Sequence, residues 1–357
     1  MKVPVIGSTV LATAGLVTYI VLGASLSPTG GSTSPDDRAL SVGAAQSEAP
    51  TEPVTLPVLN NRPRAGIAVS TTPQLDRFIA ATGTTPDIVG VFEDWSLDRP
   101  LQSDIANTVA ARGSRLLITW EPWDGAKGTV SQPRYSLASI IDGSHDPYID
   151  TFARSIKAHP HRVVIRFMHE MNGFWYPWAS ENGITTPRQY VEAWRHVHDR
   201  FSRLGVANVR WMWAPNAVYP DAGPLRRLYP GDAYVDRVGI SNYNWGERRH
   251  DGIRTHWESF SSLFAPTIAR LSRFTDEPIW VAEVGSTNSG GSKAAWITGM
   301  FSQLRSTPEV AGVMWFDILD AKQNADCRIE TEADAAKAWT LGFRARRSID
   351  STEGATR

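Results

Sequence analysis

From residue 64 onward the chain alternates between two hydrophobic periodicities. Short runs rich in β-branched and aromatic residues occupy 64–70, 87–92, 115–120, 162–167, 209–213, 235–241, 278–282 and 310–316. Such runs form strands, because branched and ring side chains pack well on a pleated surface. Between them lie longer stretches whose apolar positions recur at helical spacing, over 72–83, 101–112, 147–158, 186–204, 256–274, 293–304 and 332–346. Thr72 precedes Pro73 as an expected cap for the first helix, and Gly83, Gly113 and Gly205 follow helical runs as stop signals. Strand and helix in repeated alternation predict a (β/α)8 barrel of the TIM type, an α/β fold of typically about 250 residues, and 64–347 has the right length. A doubly wound open sheet is the competing topology. It is disfavoured because no glycine-rich phosphate turn follows the first strand.

Composition adds little to that picture and excludes some functions. The 357 residues are 42% hydrophobic and 20% charged, with a formal net charge of −1. There is no basic excess to bind nucleic acid and no acidic tail. The single cysteine, Cys327, precludes an internal disulfide. Ahead of the barrel, Val3 to Leu26 carries no charge and follows Lys2, which predicts a signal peptide or membrane anchor over 1–26. Gly23-Ala24-Ser25 would suit cleavage. Residues 27–63, rich in Ser, Thr, Pro, Gly and Ala, are expected to be a disordered linker, and 348–357 a short tail. The barrel is therefore expected outside the cytoplasm, secreted or tethered, as a monomer touching a membrane only through its leader.

Active sites of such barrels lie at the carboxyl ends of the strands. Those ends carry Asp94, Trp95, Glu121, Trp123, His169, Glu170, Asn172, Trp175, Trp213, Asn216, Asn242, Tyr243, Trp245, Glu283 and Trp315. Packing alone calls for Leu, Ile and Val there and has no use for carboxylates. Large rings stack on the apolar faces of pyranoses, and paired carboxylates cleave glycosidic bonds, one as general acid and one as nucleophile. Glu170 and Glu283 end the fourth and seventh strands, so a closed barrel would let them converge across its mouth. A zinc-helix reading of His169-Glu170 fails because position 173, where a second His is needed, is Gly. A sugar-binding barrel without catalysis is the alternative from another class.

The stretch His169-Glu170-Met171-Asn172-Gly173, followed by Phe174-Trp175-Tyr176-Pro177-Trp178, resembles the signature of glycoside hydrolase family 26. The resemblance extends over 64–347 and implies a retaining endo-β-glycosidase with a polysaccharide substrate and no metal or organic cofactor. It implies Glu170 as acid/base, Glu283 as nucleophile and Tyr243 as the nucleophile's hydrogen-bond donor. His169 would contact the sugar or position a carboxylate, and Trp175 and Trp315 would be sugar platforms. Glu121, Asn216 and Trp245 would line the cleft, and Trp95 stands with them at the rim. Family precedent suggests β-1,4-mannan as substrate. The Tyr176-Pro177-Trp178 loop points instead to a β-1,3/1,4-glucan or an exopolysaccharide. Cys327 stands where similar sequences carry Trp.

Overall fold

The computed structural model describes residues 63–218, 224–250 and 253–346. The uncharged leader, the linker and the tail lie outside the described residues. Eight parallel strands close into a barrel: β1 (Arg64–Ala68), β2 (Ile88–Asp94), β3 (Arg115–Glu121), β4 (Val163–Phe167), β5 (Val209–Trp213), β6 (Arg237–Asn244), β7 (Ile279–Ser286) and β8 (Val310–Phe316). Pairing of β1 with β8 removes the open edge that a doubly wound sheet would keep. The principal helices are α1 (Thr72–Thr82), α2 (Ser103–Ala111), α3 (Asp146–Ala158), α4 (Pro187–Arg203), α5 (Phe260–Leu271), α6 (Lys293–Arg305) and α7 (Ala333–Ala345).

Three departures from the expected pattern have local causes. Thr71, not Thr72, caps α1, its hydroxyl accepting from the Gln74 N–H. Among the described residues no α-helix follows β5. The 3-10 turns Leu225–Leu228 and Asp232–Tyr234 stand there instead, in a stretch broken by Pro224, Pro230 and Gly231. After β6 a small antiparallel hairpin, Arg248–His250 with Ile253–Thr255, rises from the rim.

Strand side chains alternate between two cores. Ile88, Leu117, Val164, Met212, Trp280, Ala282 and Met314 fill the barrel interior. The intervening positions, including Ile118, Trp120, Ile165, Phe167, Trp211, Val281, Val313 and Trp315, belong to the larger core shared with the helices. Trp120 illustrates the second layer. Its ring stacks on Phe152 of α3 at 4.5 Å and 12°, and its Nε1–H donates to the Tyr148 hydroxyl at 3.1 Å. With 0% of its surface exposed, it has no alternative partner in water.

Truncating this ring leaves a cavity that the surrounding barrel fills only in part. Trp120→Ala should therefore cost about 3–5 kcal/mol of unfolding free energy. Guanidinium denaturation followed by circular dichroism checks this, and a loss below about 1 kcal/mol would show that the interlayer packing is misassigned.

Candidate active site

Glu170 belongs to a backbone bent sharply at the end of β4. Met168 and Glu170 both take left-handed conformations, at φ 42° and 54°. For residues with a Cβ this costs roughly 1–2 kcal/mol each. The Glu170 N–H, donating to the Ala214 carbonyl at 2.7 Å, ties the bend to the end of β5. Gly173 completes the turn. A Cβ there would fall 2.5 Å from the Trp175 ring, so only glycine lets that ring fold back over the bend. The Trp175 Nε1–H then donates to Glu170 Oε2 at 2.8 Å, and the Asn216 amide donates to Oε1 at 3.3 Å. Asn216 is held in turn by Asn172: the Asn216 N–H donates to Asn172 Oδ1 at 2.8 Å, and Asn172 Nδ2 donates to the Asn216 carbonyl at 2.9 Å.

Glu283 reaches the same bowl through an irregularity in β7. Against β6, the step Ile240 to Ser241 matches Val281 to Glu283. Against β8, the step Val313 to Trp315 matches Val281 to Val284. Both neighbours therefore see one extra residue in β7, which is a β-bulge. Strict alternation from the inward Ala282 would turn Glu283 toward the helices. The bulge resets the parity and aims it into the barrel mouth. There Arg166 Nη2 pairs with Glu283 Oε2, and the Tyr243 hydroxyl donates to Oε1. Arg166 also donates from Nη1 to the Ala282 carbonyl at 3.1 Å, clamping the bulge itself.

The electrostatics act on the protonation of Glu170. Burial, reinforced by the nearby negative charge of Glu283, pushes the Glu170 carboxyl up to about 7, against the opposing pull of Arg166, Trp175 and Asn216. Glu170 thus keeps a proton near neutral pH while lying within electrostatic reach of an ion-paired carboxylate. Glu121 sits on the same inward face, 3% exposed, with Oε1 unpartnered. Burial and then Asp94 raise its carboxyl well above the usual range.

Tyr243 and Trp245 stand in the bowl beside Glu283, their rings stacked at 4.4 Å and 22°. Three expectations need correction. Trp95 is 2% exposed and packs against Trp120 and Phe167 in the interlayer core, because it lies past the last inward position of β2. Trp315 is likewise outward. It is 0% exposed, edge-on to Trp296 of α6, with its Nε1–H donating to the Cys327 carbonyl at 2.7 Å. The neighbouring Phe316 faces Tyr243 instead, so Trp315 is no sugar platform. His169 is buried behind the loop. Its Nε2 shares a hydrogen bond with the Tyr176 hydroxyl at 3.0 Å, and burial followed by Arg166 holds the ring well below its usual pKa. It braces the loop as a neutral imidazole, buried and not exposed in the bowl.

The loop rings divide in an unexpected way. Tyr176 and Trp178 stack on each other at 4.4 Å and are buried, so they form wall and not platform. Phe174 is the exposed ring at 42%, set edge-on to the half-buried Trp175. Arg166 was not among the expected site residues. Its signal was available: a lone arginine at an inward position of an otherwise apolar strand needs a buried counter-charge.

Comparison with known proteins agrees with this architecture. Residues 137–272 match the model of Glycosyl hydrolase family 26. Endoglucanase H of Acetivibrio thermocellus is 33% identical over 287 residues, 78% of this chain and 30% of that protein. The mannan endo-1,4-beta-mannosidase A and B of Caldalkalibacillus mannanilyticus is 29% identical over 132 residues, 36% of this chain and 22% of that protein. The chain thus spans less than a third of the length of either relative. A modular endo-beta-1,4-mannanase from Cellulomonas fimi shares the fold, with a TM-score of 0.61 at 19% identity, over 81% of this chain and 71% of that one. With its strand-four signature and a closed eight-stranded barrel in place, the chain belongs to glycosyl hydrolase family 26.

Proposed function

We propose that the barrel is a retaining endo-β-glycosidase that cleaves a β-linked polysaccharide by double displacement. The observation that carries this reading is the pairing in one bowl of Glu170, raised to about 7, with Glu283, ion-paired to Arg166. Glu170 would protonate the glycosidic oxygen as Glu283 attacks the anomeric carbon, giving a glycosyl ester and the free leaving group. Glu170, now ionised, would take a proton from water as that water attacks the ester, which regenerates both carboxyl groups. Tyr243 and Arg166 hold the Glu283 carboxylate in line. A binding barrel without catalysis would have no need of a protonated carboxyl beside a carboxylate held by an arginine.

The proposed backbone is a β-glucan. The likeness to Endoglucanase H extends over 78% of the chain, against 36% for the mannosidase of Caldalkalibacillus mannanilyticus. β-1,4-Mannan, the polymer named for that mannosidase, is the second reading. The Tyr176-Pro177-Trp178 loop no longer contributes to this choice, since its rings are buried. The uncharged run before residue 27 supports placing the enzyme outside the cytoplasm, secreted or tethered.

Glu170→Ala should lower kcat on polysaccharide by about 10²–10⁴-fold. The loss should be far smaller on an aryl β-glycoside whose leaving group needs no proton; equal losses on both substrates would remove Glu170 from the acid role. Glu283→Gly should be inactive on either substrate, and added azide should restore turnover of the aryl glycoside with inverted anomeric configuration by NMR. Inverted product from the wild-type protein would instead refute double displacement. The acid is competent only while protonated, so kcat/KM should fall as pH rises through about 7. The Trp175 N–H stabilises the ionised carboxyl, so Trp175→Phe should raise the Glu170 pKa and move that limb to higher pH. A limb that stays in place or moves down would contradict the assignment.

A further inference from the structure

Arg248 opens the hairpin that rises from the rim after β6, and its backbone is anchored closely. Gly246 turns the chain at φ 71°, where a Cβ would fall 1.9 Å from the Ser289 carbonyl oxygen. The Glu247 N–H donates to that oxygen at 2.9 Å, and Ser289 Oγ donates to the Glu247 carbonyl at 2.6 Å. Thr255 Oγ1, from the second hairpin strand, donates to the Gly246 carbonyl at 2.6 Å. This anchoring sets the Arg248 guanidinium carbon 6.0 Å from the centre of the Trp245 ring. Trp245 stacks on Tyr243, and Tyr243 donates to Glu283. The guanidinium is therefore two rings away from the candidate nucleophile.

Among the described residues no counter-charge is paired with it. Among the described residues the half-buried Arg248 side chain makes no ion pair and no hydrogen bond; its one contact of this kind is with the Trp245 ring. Glu247, next in the chain, turns its side chain toward Gly290. Asp320 is felt electrostatically but is not paired, and burial raises its own carboxyl, weakening it as a counter-ion. A guanidinium offers five donors in a planar fork that matches a carboxylate. Partly withdrawn from water and unpaired, it is incompletely compensated by hydroxyl groups and well compensated by an anion.

We propose that Arg248 is a specificity residue that recognises an acidic substituent, a uronic carboxylate or equivalent anion, on the glycone side of the scissile bond. This rests on the glycosidase reading above: the sugar under attack lies over Glu283 and Tyr243, and the leaving group lies toward Glu170 and Trp175. The substrate class is then an acidic β-linked polysaccharide, not a wholly neutral one. Trp245, buried between Tyr243 and the guanidinium, fixes where Arg248 meets that charge.

Binding tests this separately from turnover. Glu170→Ala protein is titrated calorimetrically with paired β-linked oligosaccharides that differ only in a uronic acid on the glycone half. The acidic member should bind about tenfold tighter at low salt, a preference that shrinks as salt rises. Adding Arg248→Gln should abolish the preference, and Arg248→Lys should keep part of it without the bidentate component. Equal affinities for the two oligosaccharides, or a preference that survives Arg248→Gln in protein with an unchanged circular dichroism spectrum, would overturn the proposal. A parallel assay of reducing-end release by the wild type judges the glycosidase reading on its own. If no β-glycan is cleaved but the charge preference depends on Arg248, the catalytic reading fails while the anion site stands.

Discussion

The ion pair between Arg166 and Glu283 is the constraint on which the bowl depends. Both side chains are buried, so neither charge has bulk water as a partner. Removing one member of such a pair leaves the other uncompensated, typically at about 3–5 kcal/mol. The arginine does more than neutralise. Its second nitrogen holds the Ala282 carbonyl, the backbone position where β7 bulges. Charge compensation and backbone geometry are therefore secured by one side chain, and the direction of Glu283 follows from both. The arginine also lies near enough to Glu170 to oppose its rise, so it sets the balance between the two carboxyl groups.

The opposite side of the bowl is held by strain and hydrogen bonds. Two left-handed residues flank His169, and the bend persists because β5, the Asn172–Asn216 pair and the stacked Tyr176–Trp178 wall fix it from several sides. Strained backbone of this kind endures where surrounding contacts over-determine it. The result is a carboxyl whose hydrogen-bond donors are an indole and an amide, neither of them charged. Such donors orient the group and offset its rise only in part, whereas a second arginine would oppose it with a full charge.

The tryptophans show how one residue type serves two purposes. Trp120 and Trp315 face the helices and seal the interlayer core, while Trp175 and Trp245 face the bowl. Their position along the strand cannot separate the two groups, since all lie near carboxyl ends. The parity of the strand separates Trp120 and Trp315 from Trp245, and the Gly173 turn beyond β4 places Trp175. Parity also explains why Phe316, one residue beyond Trp315, meets Tyr243 across the mouth.

By itself the sequence determined the alternation of strands and helices, the closed barrel that follows from it, and the presence of two glutamates at the ends of the fourth and seventh strands. Those features are local, set by side-chain periodicity and chain order, so they survive in one dimension. The tertiary structure alone decided which side chains face the bowl. A one-residue bulge in β7 turns Glu283 inward, and no composition or spacing announces it. The same limit placed Trp95 and Trp315 in the wrong layer, and left the partner of Arg166, 117 positions away, to be chosen by the fold. Burial, too, is a property of the assembled barrel. Only there does Glu170 lose its water and gain a neighbouring charge, the two effects that raise its pKa.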